Sequence, residues 1–238
     1  MDNNVALNYV KRKKRRKRAA WISLISSIGI TIMIIIAFCV LTVDRFTITV
    51  SQQYLSLTID ENRETLTTEL YAPPLLKATD TQYSDIPETI EEGLGSKNTN
   101  SYFAYSFYLL GGGDLNESMN YSMTMTLNVA SNALEDAMRV MIIKDGCRTV
   151  YAQPNDDGSS KLIYYAANHE DEPQIIGATV PFKNNKHIIL EPYKIKPGDE
   201  QKFTIVMWID GWDSVNSMKG GTFSSELKFQ ILSNNEVN

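Results

Sequence analysis

Tyr121-Ser122-Met123-Thr124-Met125-Thr126-Leu127-Asn128-Val129 alternates large apolar with small polar side chains over nine residues. Successive side chains of an extended chain point to opposite faces, so this pattern predicts a strand with one dry and one wet face. The same period of two returns in Phe203, Ile205, Met207 and Ile209 against Lys202 and Thr204. It returns again in Phe223, Ser225, Leu227, Phe229 and Ile231 against Ser224, Glu226, Lys228 and Gln230. Strands that bury one face and wet the other belong to antiparallel sheets. Residues 101–110, 138–144, 148–152, 161–166 and 187–191 read as further strands. Turn signals separate them at Asp145-Gly146, Asn155-Asp156-Asp157-Gly158, Pro197-Gly198 and Gly220-Gly221. Many short strands joined by polar turns predict a mainly β fold, a sandwich or a barrel. Only Ala133 to Ala137 reads as helical, for one short turn.

Residues 44–100 have a different character. Phe46, Ile48 and Val50 alternate with Thr47 and Thr49, then Leu55, Leu57 and Ile59 alternate on the other parity, which predicts a bulge or break near Tyr54. From Tyr71 to Asn100, with Pro73-Pro74, Pro87, Glu91-Glu92 and Gly93-x-Gly95, the chain reads as a long irregular connection, a spacer or a loop packed on the sheet.

Charge is polarised along the chain. Residues 1–20 hold eight basic side chains and one acid, a net of +7, whereas residues 21–238 hold 15 basic against 27 acidic, a net of −12. The block Lys11-Arg12-Lys13-Lys14-Arg15-Arg16-Lys17-Arg18 is followed at once by residues 19–43, which carry no charge and are rich in Ile. About 20 apolar residues cross a bilayer core of about 30 Å as a helix, so this run is long enough to span. It exceeds the apolar region of a secretory signal peptide, and no small-x-small cleavage site follows it, because Phe38, Cys39, Val40, Leu41 and Val43 crowd its exit. An uncleaved signal anchor is expected. Cys39 follows Phe38 rather than the small residues of a lipoprotein box. Ser23 and Ser27 form a small-xxx-small pair of the kind that brings two helices together, a common and weak pattern. Basic residues beside a span resist translocation, which places the N-terminus in the cytoplasm and the C-terminal part outside. The same eight cations attract anionic headgroups of the cytoplasmic leaflet. The remainder, roughly 190 residues, suffices for one domain with a sizeable core.

Little in the sequence carries chemistry. Two Cys and two His leave almost no material for a disulfide framework or a structural zinc site. His169, in an acidic loop, and His187, opening a strand, have no motif around them, and Cys147 is expected as a small buried hydrophobe. Asn155-Asp156-Asp157-Gly158 offers oxygens for calcium, but the twelve-residue loop with its terminal Glu is absent, and a hairpin turn is expected. Gly111-Gly112-Gly113 lacks the Lys-Ser or Lys-Thr pair of a phosphate loop. The sequons at Asn116 and Asn120 are read as accidental. The acidic outer portion would repel nucleic acid. Trp208-Ile209-Asp210-Gly211-Trp212-Asp213 sets two indoles and two carboxylates at the end of a strand. Trp208, Asp210, Trp212 and Asp213 are therefore the candidate interaction surface. Two carboxylates three apart also suit glycoside chemistry, with tryptophans that stack on sugars, although a turn whose indoles cap the core is the plainer reading. No catalytic, cofactor-binding or metal-ligating residue is assigned.

Three segments carry a resemblance. They are Tyr102-Phe103-Ala104-Tyr105-Ser106-Phe107-Tyr108-Leu109; then Leu134-Glu135-Asp136-Ala137-Met138-Arg139-Val140 with Lys144-Asp145-Gly146 and Val150-Tyr151-Ala152; then Pro197-Gly198-Asp199-Glu200 with Phe203 to Asp213 and Gly220-Gly221-Thr222-Phe223. Over residues 100–232 they resemble a group of single-pass surface proteins of Firmicute-type, Gram-positive bacteria, whose domain is distantly similar to the jelly-roll sandwich of the TasA and camelysin matrix proteins. The resemblance implies an antiparallel, jelly-roll-like β-sandwich displayed at the cell surface and assembly by strand exchange. It transfers no enzymatic residue. An uncleaved anchor departs from that pattern, because a tethered subunit cannot leave the membrane to build a long free fibre.

The expected organisation is a basic cytoplasmic tail (1–18), a transmembrane signal anchor (19–43), membrane-proximal strands with an irregular connection (44–100), and the extracellular β-sandwich core (101–238). The expected function is that of a non-enzymatic cell-surface protein with envelope or matrix partners, protein or cell wall, and with self-association. A sensor or accessory subunit working with a membrane partner is the alternative, and a carbohydrate-active envelope enzyme using Asp210 and Asp213 is the third.

Overall fold

The computed structural model describes residues 46–50, 54–75, 78–113, 118–166, 171–183, 187–189 and 192–232, all within the compact unit Arg45–Asn238. The basic block 11–18 and the uncharged run 19–43 lie outside the described residues. Among the described residues no helix is long and apolar enough to cross a membrane.

The strands in chain order are β1 (Phe46–Val50), β2 (Leu55–Thr58), β3 (Glu69–Ala72), β4 (Asp80–Thr81), β5 (Gly95–Ser96), β6 (Tyr102–Gly111), β7 (Met119–Ala130), β8 (Met138–Lys144), β9 (Cys147–Ala152), β10 (Leu162–Tyr165), β11 (Gln174–Ala178), β12 (Val180–Pro181), β13 (His187–Ile189), β14 (Tyr193–Ile195), β15 (Glu200–Asp210) and β16 (Phe223–Ile231). One sheet runs β13-β7-β16-β1-β3, with β14 also on β7. The second runs β12-β9-β8-β15-β6-β2, with β4 on β15 and β5 on β6. The hairpin β10-β11 stands apart. The alternation at 121–129 is the dry face of β7: Tyr121, Met123, Met125 and Leu127 are all buried. They meet the second sheet in one core, where the rings of Phe203 and Phe229 lie 5.3 Å apart and those of Phe46 and Phe103 5.1 Å apart. Leu134–Ala137 is the expected single helical turn.

Two expectations are corrected and a third is narrowed. The sheets are mixed rather than antiparallel, because β1 runs parallel to β16, β12 to β9 and β4 to β15. Of the bulge or break expected near Tyr54, it is a break that occurs, as a change of sheet: β1 pairs with β16 and β3, whereas β2 pairs with β6. Nor is β15 half-wet. Phe203 to Asp210 are all buried, because a second layer covers the outer face of its sheet. There Ile86, Ile90 and Ile163 pack over Tyr102, Ala104, Met141, Val206 and Trp208. The irregular connection is thus a packed layer and not a spacer. Lys97 pins it, its Nζ donating to the Ile90 carbonyl at 2.6 Å and to Ser106 Oγ at 2.8 Å, while Ser106 shares a 2.7 Å hydrogen bond with Thr204. Burial holds the Lys97 ammonium below its ordinary pKa.

At the far end of β6, Gly111 donates to the Asp199 carbonyl at 3.0 Å and accepts from Gly198 at 2.9 Å. A Cβ there would fall 2.2 Å from the Lys196 backbone oxygen. Gly111→Ala is therefore expected to cost about 1–3 kcal/mol, since the backbone must shift to admit one methyl; chemical denaturation reads this as a lowered midpoint.

Candidate functional site

The last residues of β15 and the first of β8 lie side by side, with Trp208 opposite Arg139 and Ile209 opposite Met138. Arg139 is the cation near the start of β8 (Met138–Lys144), whose second cation, Lys144, lies at the hairpin end; the Arg139 side chain is buried. A buried guanidinium needs acceptors, because leaving it unpaired costs several kcal/mol. It finds two carboxylates: Nε lies 3.6 Å from Asp210 Oδ2, and Nη2 donates to Asp213 Oδ2. Lys161 joins them, its Nζ 3.1 Å from Asp213 Oδ2 and 2.5 Å from the Asp136 carbonyl. Two cations and two carboxylates balance.

The backbone closes the same turn. Asp210 Oδ1 accepts from the Trp212 N–H at 2.9 Å, the Asp210 carbonyl accepts from the amides of Asp213 and Ser214, and Gly211 N–H donates to the Thr81 carbonyl at 3.1 Å. The two acids are pushed in opposite directions. Burial lifts the Asp210 carboxyl above its ordinary pKa despite the Arg139 charge. Burial also opposes ionisation of Asp213, but hydrogen bonds and charge from Arg139 and Lys161 outweigh it and hold that carboxyl low.

Divergent carboxyls are the pattern of an acid and base pair. Here, however, both share one guanidinium, and Asp210 is only 4% exposed. The arrangement suits a brace that holds residues 210–214 in place. Of the four candidate surface residues, Trp208 is buried beside Tyr83, ring centroids 6.4 Å apart, and Asp210 is buried in the brace. Trp212 is 45% exposed, its ring 5.6 Å from that of Tyr164, and Asp213 is partly exposed. The expected surface therefore reduces to Trp212 and Asp213. The partners Arg139 and Lys161 escaped the sequence reading, although a cation set within the apolar run 138–143 signals a buried ion pair.

No protein-family model and no curated protein matches the chain. A solved structure, the β-glucosidase of Kluyveromyces marxianus in complex with glucose, is similar over 73% of this chain and 16% of that one, at 11% identity and a TM-score of 0.24. A likeness that low bears on neither fold nor activity.

The remaining candidates resolve simply. Cys147 is exposed rather than buried, because it follows the Asp145-Gly146 turn and pairs with Lys144 at the tip of the β8-β9 hairpin. Asn155 to Gly158 form a turn in which Asp157 accepts from the amide and hydroxyl of Ser159, which hold its carboxyl below the ordinary range. Among the described residues no three His, Cys, Asp or Glu gather as a metal site. His169 lies outside the described residues.

One further surface stands out. Among the described residues β11 pairs only with β10, and its sequence Gln-Ile-Ile-Gly-Ala carries no charge and no proline. Ile175 is 62% and Ile176 51% exposed. Natural edges are usually blunted by lysine, proline or a bulge; β11 has neither lysine nor proline, but the pairing passes from Ile163 with Gly177 to Tyr164 with Ile175, so Ile176 is an extra residue bulged out of β11 itself.

Proposed function

We propose that this chain is a membrane-anchored cell-surface protein, without enzymatic activity of its own, that presents a jelly-roll-like β-sandwich for envelope or matrix interactions. Residues 19–43 form its uncleaved signal anchor, the basic block 11–18 stays in the cytoplasm against anionic headgroups, and the β domain lies outside. The observation that carries the interaction is the uncharged outer edge of β11, which presents two exposed isoleucines, Ile175 and the bulged Ile176, with main-chain hydrogen-bonding groups on either side of the bulge for an incoming strand. A second copy of β11 is its simplest occupant, since antiparallel pairing of like edges closes a two-fold dimer. The resemblance to Firmicute surface proteins points the same way.

Fractionation of cells producing a C-terminally tagged chain, with protease added outside, tests anchor and orientation together. A full-length, membrane-bound band that loses its tag to external protease is expected. A shorter band released to the medium overturns the anchor. For the edge, crosslinking in cells is expected to give oligomer ladders that fade with Ile176→Lys. Burying one isoleucine is worth about 1.5–3 kcal/mol, so the substitution weakens pairing about tenfold or more. Ladders unchanged in that variant would remove β11 from the interface.

A further inference from the structure

The connections at one end of the two-sheet core gather where the chain arrives. The register Thr47 to Glu226 sets the start of β1 beside the start of β16. Phe223, opening β16, pairs with Ala130 at the close of β7. Residues 131–137 then lead to Met138, which pairs with Ile209 near the close of β15. The start of β1, the connection 131–137 and the connection 211–222 therefore share one end. In the sequence the uncharged run stops at Val43, and only Asp44 and Arg45 separate it from Phe46. Three residue steps span about 10 Å at most.

We propose that the connection 211–222 rests on the outer surface of the bilayer, with Trp212 and Val215 in the headgroup layer, and that the Arg139 and Lys161 brace fixes it for that contact. This rests on the anchor reading above. Trp212 is 45% and Val215 55% exposed, and indoles favour the interface, where an apolar ring and a polar N–H both find partners. The one acid between them, Asp213, is neutralised by Arg139 and Lys161, so no unpaired carboxylate in 211–217 meets the lipid phosphates. Two exposed acids at the same end, Asp80 and Asp136, disfavour anionic lipid. With the exposed Lys219 of the same connection set against those two acids, the surface carries little net charge and thus fits zwitterionic headgroups, reached mainly through apolar contact.

The test uses the full chain in phosphatidylcholine vesicles brominated near the headgroup end of the acyl chains. Trp21→Phe removes the indole of the anchor, leaving Trp208, buried in the domain, and Trp212. Emission quenched by the brominated lipid is expected, with most of the quenching lost on adding Trp212→Phe, a change at an exposed ring that leaves the core intact. Val215→Asp is expected to weaken it as well. Emission quenched by aqueous iodide but not by brominated lipid, in chains that still float with the vesicles, overturns the contact while leaving the anchor standing. Chains that do not float overturn both.

Discussion

Arg139→Met is expected to cost about 3–5 kcal/mol, the usual penalty for stripping one partner from a buried ion pair. The methionine fills much of the arginine volume, so the loss is electrostatic and not a cavity. Asp210, 4% exposed, is left facing the apolar start of β8 with the Trp212 amide as its remaining close partner, while Asp213 keeps Lys161. For a domain of this size each kcal/mol shifts the thermal midpoint by about 2–4 °C, so the drop is about 6–20 °C. Thermal unfolding of the full chain in mild detergent, followed by near-ultraviolet circular dichroism, reads it directly. The pH dependence identifies the cause. Asp210 already has a raised carboxyl pKa, and losing Arg139 raises it further. A folded pKa above the unfolded one penalises the fold at higher pH, and the penalty is relieved as pH falls through the folded value. Asp213 works in the opposite sense. Its lowered pKa stabilises the parent above the ordinary carboxyl value, and that contribution is lost as pH falls through the folded one. Both effects narrow the gap between variant and parent on acidification. Adding Asp210→Asn to the variant recovers part of the loss. A gap that is independent of pH, with strictly additive substitutions, would mean the four groups do not act as a unit.

The sequence carried most of the strand list because β7 and β16 each bury one face, and a period of two is visible wherever one face is wet. It failed where that asymmetry disappears. β15 is covered on both sides, and its run Ile205-Val206-Met207-Trp208-Ile209 is apolar at every position, a warning that the alternation through Lys202 and Thr204 obscured. The edge strands β3, β4, β5, β11, β12 and β14 span five residues or fewer, and their pairing is set by what lies beside them rather than by any pattern of their own. The parallel union of β1 with β16 joins positions about 180 residues apart, and no local signal encodes such a contact. At the site, the stretch 208–213 was legible as a group of aromatic and acidic residues. Which of them face solvent was not, because that depends on Arg139 and Lys161, contributed by strand β8 and the approach to β10. The cation that decides the geometry sits in a segment whose own pattern speaks only of burial.

Phe229→Ala is expected to match the arginine substitution in size and to differ from it in every other respect. Phe229 is fully buried. Its ring lies 5.3 Å from that of Phe203 and 5.9 Å from that of Phe107 in the opposite sheet, and 6.0 Å from that of Tyr121 in its own. It therefore joins the two sheets by aromatic contact, as the Phe46 and Phe103 pair does elsewhere in the core. Truncation removes the transfer energy of a benzyl group and leaves a cavity that rigid sheets cannot collapse to fill, about 3–5 kcal/mol together. Phe229→Leu keeps most of the volume and should cost less than half as much. Neither loss should depend on pH between 5 and 8, because no titrating group loses a partner. That independence separates packing from electrostatics when the two variants are measured side by side. A Phe229→Ala chain that keeps its midpoint within about 1 kcal/mol of the parent, on the same thermal scale, would show that the sheets do not rely on this contact. β16 also holds β1 in parallel register from Thr47 to Val50. Loosening it frees the first strand of the domain, so Phe229→Ala should expose β1 to protease before any other part of the core.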